Sequence, residues 1–170
     1  LSMREPMVIH SITLSNAADK PSYAQVKSGN DAAGAKNTSG KLITIEGENP
    51  TRTSSQMLYP IQDQSSPSVS PSSPKMLLNN TIGGNSWRLV GQWIEWDFDV
   101  EESGYYNISL YDSQNFVRGI YVSRKITIDG EVPFKELEAY GFKYDQSWRE
   151  DVLQDAGGTP YSFYLEAGHH

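Results

Sequence analysis

An all-β sandwich is the fold that the sequence predicts, and three observations predict it. Gly91–Ile128 reads GQWIEWDFDVEESGYYNISLYDSQNFVRGIYVSRKITI, three strand-like segments dense in Trp, Tyr and Phe, the first two joined by a polar Glu-Glu-Ser-Gly turn. Within these segments apolar and polar side chains alternate, the period of a strand with one face buried. Turn signals recur between them, and no sustained helical period competes. A chain of 170 residues is long enough to bury one sizeable core, at about 100–200 residues per domain.

The elements follow in order. Met7–Leu14 alternates and carries β-branched Val8 and Ile12, so it reads as a strand. Pro21–Lys27 has Pro21 and Ser22 where a helix starts and predicts one or two helical turns. Ser28–Lys41 is rich in Gly, Ala, Asn and Ser, which is linker chemistry. Residues 1–40 are therefore expected to form an N-terminal strand and linker, and residues 41–170 the sandwich.

Leu42–Glu48 is expected to be a strand with Glu46 and Glu48 on one face. Pro60–Pro74 is so dense in proline and serine that it must be loop or sheet edge, and its length marks it as a candidate binding loop. In Trp93–Val100, Ile94, Trp96, Phe98 and Val100 share a core face, opposite Trp93, Glu95, Asp97 and Asp99. Trp93 and Trp96, in mid-strand, read as packing residues. Tyr105–Tyr111 and Ile120–Ile128 continue the pattern, Asp129-Gly130 signals a tight turn, and Tyr161–Leu165 is a last short strand.

Composition removes several functions. A net charge of −7 and a pI near 4.9 oppose nucleic-acid binding, which needs a basic surface to displace counterions. The absence of cysteine removes disulfides, thiolate zinc sites and cysteine nucleophiles. No run approaches the roughly 18 apolar residues of a membrane span, and LSMREPMVIH lacks the pattern of a signal peptide. With His10 the one histidine outside His169-His170, a Ser-His-Asp arrangement has little to build on, and no carboxylate spacing singles out a hydrolytic pair. The expectation is a protein that is not an enzyme.

GQWIEWDFDVEESGYYNISLY, KITIDG and FYLEAGHH, preceded by ITIEGE, resemble the galactose-binding-like jelly rolls, especially carbohydrate-binding modules of families six and thirty-five. The match spans roughly Lys41–His170. SSPSVSP, NNTIGGNSWRL, QNFVRGIYVSRKITIDGEVPF and REPMVIHSITL followed by PSYAQV are similar to such modules on sugar-type solute-binding proteins of bacterial ABC transporters. The resemblance implies an extracellular or cell-surface setting in bacteria, an oligo- or polysaccharide ligand, and contacts with neighbouring domains of the parent protein. It also implies a structural Ca2+ at Glu46 and Glu48. Family modules finish with a strand after the Gly-His element, so a closing strand is expected from REPMVIHSITL, a partner or further residues.

Sugar recognition asks for aromatic faces that stack on the C–H patches of a pyranose, with amide, guanidinium or carboxylate groups for its hydroxyls. Tyr59, Trp87, Arg88, Asn115, Arg118, Tyr121 and Trp148 lie in or beside predicted loops and meet that demand. Core packing by Trp87 and Tyr121 and internal ion pairing by the arginines are the competing uses of the same residues. A structural interaction domain that binds no glycan is the alternative function, and an accessory domain of a glycoside hydrolase comes after it.

Overall fold

The computed structural model describes residues 10–14, 19–38, 40–116 and 118–170. Their regular structure is mostly strand. One helix, α1 (Tyr23–Ala32), precedes β1 (Arg52–Thr53), β2 (Pro60–Ile61), β3 (Thr81–Ile82), β4 (Ile94–Glu95), β5 (Asp99–Val100) and β6 (Gly104–Tyr106). β7 (Ser109–Asp112), β8 (Val122–Arg124), β9 (Tyr140–Phe142), β10 (Arg149–Val152), β11 (Phe163–Leu165) and β12 (Gly168–His169) complete the order. The strands pair antiparallel in small sheets: β1 with β4, β2 with β3, β5 with β12, β6 with β11, β7 with β10 and β8 with β9.

Two of these pairs form one interrupted ladder. β6 and β7 face a return segment that carries β10 and β11, and Leu153 N–H donates to the Ile108 carbonyl at 2.9 Å between them. The Asn107 side chain donates to the Tyr161 carbonyl at 2.8 Å, and a Gln154–Pro160 bridge closes an excursion of the return segment. Directly opposite residues share a face, so the register sorts the side chains. Leu110 packs on the core, its opposite Asp151 shares that inner side, and Asp112 with Arg149 follows on it. Tyr111 with Glu150 points outward.

The core is Phe134, Leu137, Phe142, Leu153, Tyr161 and Phe163. Phe134 meets Tyr161 edge-on at 4.9 Å between centroids, Tyr23 of α1 lies tilted on Tyr161 at 4.7 Å, and Phe134 stacks on Phe163 at 5.6 Å. Helix α1 starts at a capping box: Ser22 Oγ accepts from Gln25 N–H while Gln25 Oε1 accepts from Ser22 N–H at 2.8 Å. Its Lys27–Asp31 pair at 2.9 Å supports the following turn. Ser162 N–H donates to the Tyr23 hydroxyl at 3.0 Å, and Tyr23 N–H to Glu136 at 3.0 Å.

These contacts correct the linker reading of Ser28–Lys41. The helix runs on to Ala32, and the chain beyond it lies along β6, where Tyr105 N–H donates to the Lys36 carbonyl at 2.9 Å. Thr38 Oγ1 donates to the Tyr105 carbonyl at 3.0 Å. The Tyr105 hydroxyl donates to Asp31 at 2.7 Å, and burial and that carboxylate push its pKa up to about 12. Lys27 first, then Tyr105, hold Asp31 below the ordinary carboxylate range.

Leu42–Glu48 is not a strand. The place beside β4 is taken by β1, extended by Thr51 N–H donating to the Glu95 carbonyl at 2.8 Å, so 42–48 has no ladder to join and Leu42 is 89% exposed. The expected strand Met7–Leu14 falls partly outside the described residues, and His10–Leu14 has no regular structure. Trp93–Val100 is split into β4 and β5 but keeps its alternation, with Val100 buried and Asp97 and Asp99 exposed. Trp93 is 47% exposed on the acidic face and is not a packing residue. The Asp129-Gly130 turn forms as expected, both residues at positive φ (53° and 78°) between the bridged Ile128 and Glu131.

Candidate functional site

The outer face of the β7–β10 ladder carries two aromatic rings. Tyr111 stacks on Trp148, the residue before β10, with centroids 5.8 Å apart and planes at 22°. Strand parity puts them there: Tyr111 alternates with the inward Leu110, and Trp148 with the inward Arg149. The proline- and serine-rich loop reaches over the pair. Tyr111 hydroxyl is 2.6 Å from Ser68 Oγ, and Trp148 Nε1 donates to Ser65 Oγ at 3.2 Å. Tyr111 remains 47% exposed, and exposed Glu150 lies directly across the ladder from it.

The inner side of the same end holds charge. Arg149 bonds Asp151 at 3.0 Å and Asp145 at 3.5 Å. Asp112, opposite Arg149, is left without a comparable bond; burial, then the charge of Asp151, push its pKa up to about 6, with Arg149 opposing. The ladder continues past Asp112, since Asp145 N–H donates to the Gln114 carbonyl at 2.9 Å. The loop bearing Asn115 and Arg118, both exposed, therefore leaves from the end that carries the ring pair.

The other candidates lie apart. Trp87 is half-buried: the Arg124 guanidinium sits 4.2 Å above its ring and donates to its carbonyl at 2.9 Å. That guanidinium occupies one face of the ring. Arg88 beside it is exposed. Tyr121 is exposed and lies against Gly141 of β9, where an added Cβ would come within 3.3 Å of its ring. Tyr59, also exposed, immediately precedes β2.

Sequence reasoning missed Tyr111 and Glu150, while Ser65 and Ser68 fall within the Pro60–Pro74 stretch that reads as a candidate binding loop. Tyr111 lies in no loop, and strand parity alone marks it as the outward aromatic of its strand. Surface cavities among the described residues lie elsewhere, one of about 380 Å3 beside Ser22 and Lys135 and another of about 300 Å3 between Val26, Asn30, Phe134 and His170. Glu46 and Glu48 sit on the irregular segment, Glu46 exposed, and calcium takes six or more oxygens. Among the described residues no group of three or more His, Cys, Asp and Glu side chains is arranged so that it could hold a metal ion. No helix among them is long and apolar enough to cross a membrane.

Comparison with known proteins adds no relative: no family model, curated protein or solved structure matches the chain.

Proposed function

We propose that this chain is a non-catalytic carbohydrate-binding module of jelly-roll β-sandwich type, part of a secreted or surface-attached bacterial protein that serves sugar uptake by an ABC transporter. The observation that carries the reading is the Tyr111–Trp148 pair, rings held on an outward strand face beside Ser65, Ser68 and Glu150. A pyranose presents apolar C–H faces and a belt of hydroxyls. An aromatic face serves the first and hydroxyl and carboxylate oxygens the second. Tyr111, 47% exposed, leaves part of that face open to a sugar ring beside the loop. The motifs of the sequence supply the transport setting.

Native gel electrophoresis through soluble polysaccharides, with a glycan array to find the ligand, tests this. The unmodified protein is expected to be retarded by at least one glycan, and Trp148→Ala to bind about tenfold more weakly, the equivalent of about 1.4 kcal/mol. Retardation that survives Trp148→Ala removes this site from the reading, and binding to no glycan removes the reading.

A second reading, docking against a neighbouring domain, is favoured by Leu89 and Val90, which are exposed side by side close to the exposed Trp93. It predicts that Val90→Ser leaves glycan retardation unchanged and weakens association with the parent protein.

A further inference from the structure

We propose that His170 works as a proton-operated latch, fastening β12 to β5 and to the Asp129-Gly130 turn while its ring is charged and loosening it when the charge is lost. Nδ1 of His170 lies 2.9 and 3.2 Å from the two carboxylate oxygens of Asp129, and Nε2 lies 2.8 Å from the Glu166 carbonyl. Both partners only accept. A neutral imidazole has one N–H and would turn a lone pair toward one of them, so only the imidazolium satisfies both contacts. The ring is also stacked on Phe98 of the opposing segment, centroids 5.6 Å apart.

The backbone shares the arrangement. Phe98 and His170 exchange N–H to carbonyl bonds of 2.9 Å each, which extend the β5–β12 ladder. The neighbouring charges are almost all negative: Asp129 on the turn, Glu166 before β12, and Glu131, which lines the same cavity as His170. Next to them His169 sits between Asp99 at 3.0 Å and Asp97 at 3.7 Å. Lys20, 3.7 Å from Glu131, is the cation on that side. Loss of the His170 proton thus leaves Asp129 beside other carboxylates and one ring contact unmade.

The sign follows from linkage. The Glu166 carbonyl first, then Asp129, raise the His170 pKa above its ordinary value, while burial opposes them. A raised value means that the stabilisation is complete below about 6.5, the unfolded value, and is lost as pH rises through the folded one.

Nitrogen NMR of the imidazole and amide exchange, corrected for intrinsic rates, test the latch. At pH 6 both ring nitrogens of His170 are expected to carry protons, and protection of the Phe98 and His170 amides is expected to fall about tenfold between pH 6 and pH 8.5. In His170→Gln and in Asp129→Asn, protection of Phe98 is expected to be low and nearly independent of pH. A single neutral tautomer at pH 6, flat protection in the unmodified protein, or an unchanged pH dependence in His170→Gln would each overturn the proposal.

Discussion

Asp112 carries a cost that its surroundings make visible. It sits at the inner end of β7, opposite an arginine whose bonds go to Asp145 and Asp151, and burial pushes its pKa up to about 6. A carboxyl whose folded value lies above its unfolded one, about 3.9, binds its proton better when folded. Stability therefore falls as pH rises from about 4 through 6, and the penalty is complete at neutrality. Asp112→Asn keeps the shape and removes the charge, while leaving both Arg149 pairs in place. Because the group is partly solvated, the expected gain at pH 7 is on the order of 1 kcal/mol, or about 2–4 °C in Tm. Calorimetry at pH 7 and pH 4 is the check, with the gain absent at pH 4. A less stable variant at pH 7 would mean that the charge of Asp112 is held favourably. Nothing in the alternation of strand 105–111 announces this: parity says that Asp112 faces inward with Leu110, but not that its cross-strand cation is already engaged.

At the scale of elements, the close approach of residues 36–38 to β6 depends on Gly104. A Cβ there would lie 2.7 Å from the Lys36 carbonyl oxygen and 2.7 Å from Thr38 Cγ2. The first of these is backbone, already bonded to Tyr105 N–H, so it cannot swing away. Gly104→Ala is expected to cost about 1–3 kcal/mol, the range for overpacking a close contact. Adding Thr38→Ser removes Cγ2 and is expected to restore part of the loss, measured as the midpoint of urea unfolding. A neutral Gly104→Ala would sink the contact. The same elements show what was legible. Alternation in Trp93–Val100 and the Asp129-Gly130 turn are local signals, and both survive. The place beside β4 was contested between 42–48 and Arg52–Thr53, and a β-rich appearance could not decide it, because strand pairing is settled by the partner edge and not by propensity. The ring site was half legible for a similar reason. Trp148 stood out by type, whereas its companion Tyr111 became significant only when the β7–β10 register fixed which rings share a face.

For the whole molecule the open matter is where the folding unit begins. Composition put the boundary at residues 40 and 41, since Gly, Ala, Asn and Ser read as linker. The packing runs through that boundary. Tyr23 lies 5.1 Å from the Phe134 ring and 4.7 Å from the Tyr161 ring, Val26 packs against the same core, and Asp31 and Lys36 take the hydroxyl and amide protons of Tyr105. A chain starting at Lys41 would lose the Tyr23 ring and uncover Phe134, which is 2% exposed. It would also leave the donors of Tyr105, itself buried, without protein partners. Removal of one buried aromatic side chain alone costs about 3–5 kcal/mol, a large share of the about 5–15 kcal/mol by which domains are stable. Residues 41–170 expressed alone are therefore expected to unfold at markedly lower urea than the full chain and to bind a hydrophobic dye at the uncovered Phe134–Tyr161 face. Tyr23→Ala in the full chain is expected to show a smaller shift in the same direction. Should residues 41–170 unfold at the same urea concentration as the whole, α1 would be an accessory to a strand-rich unit that is stable without it.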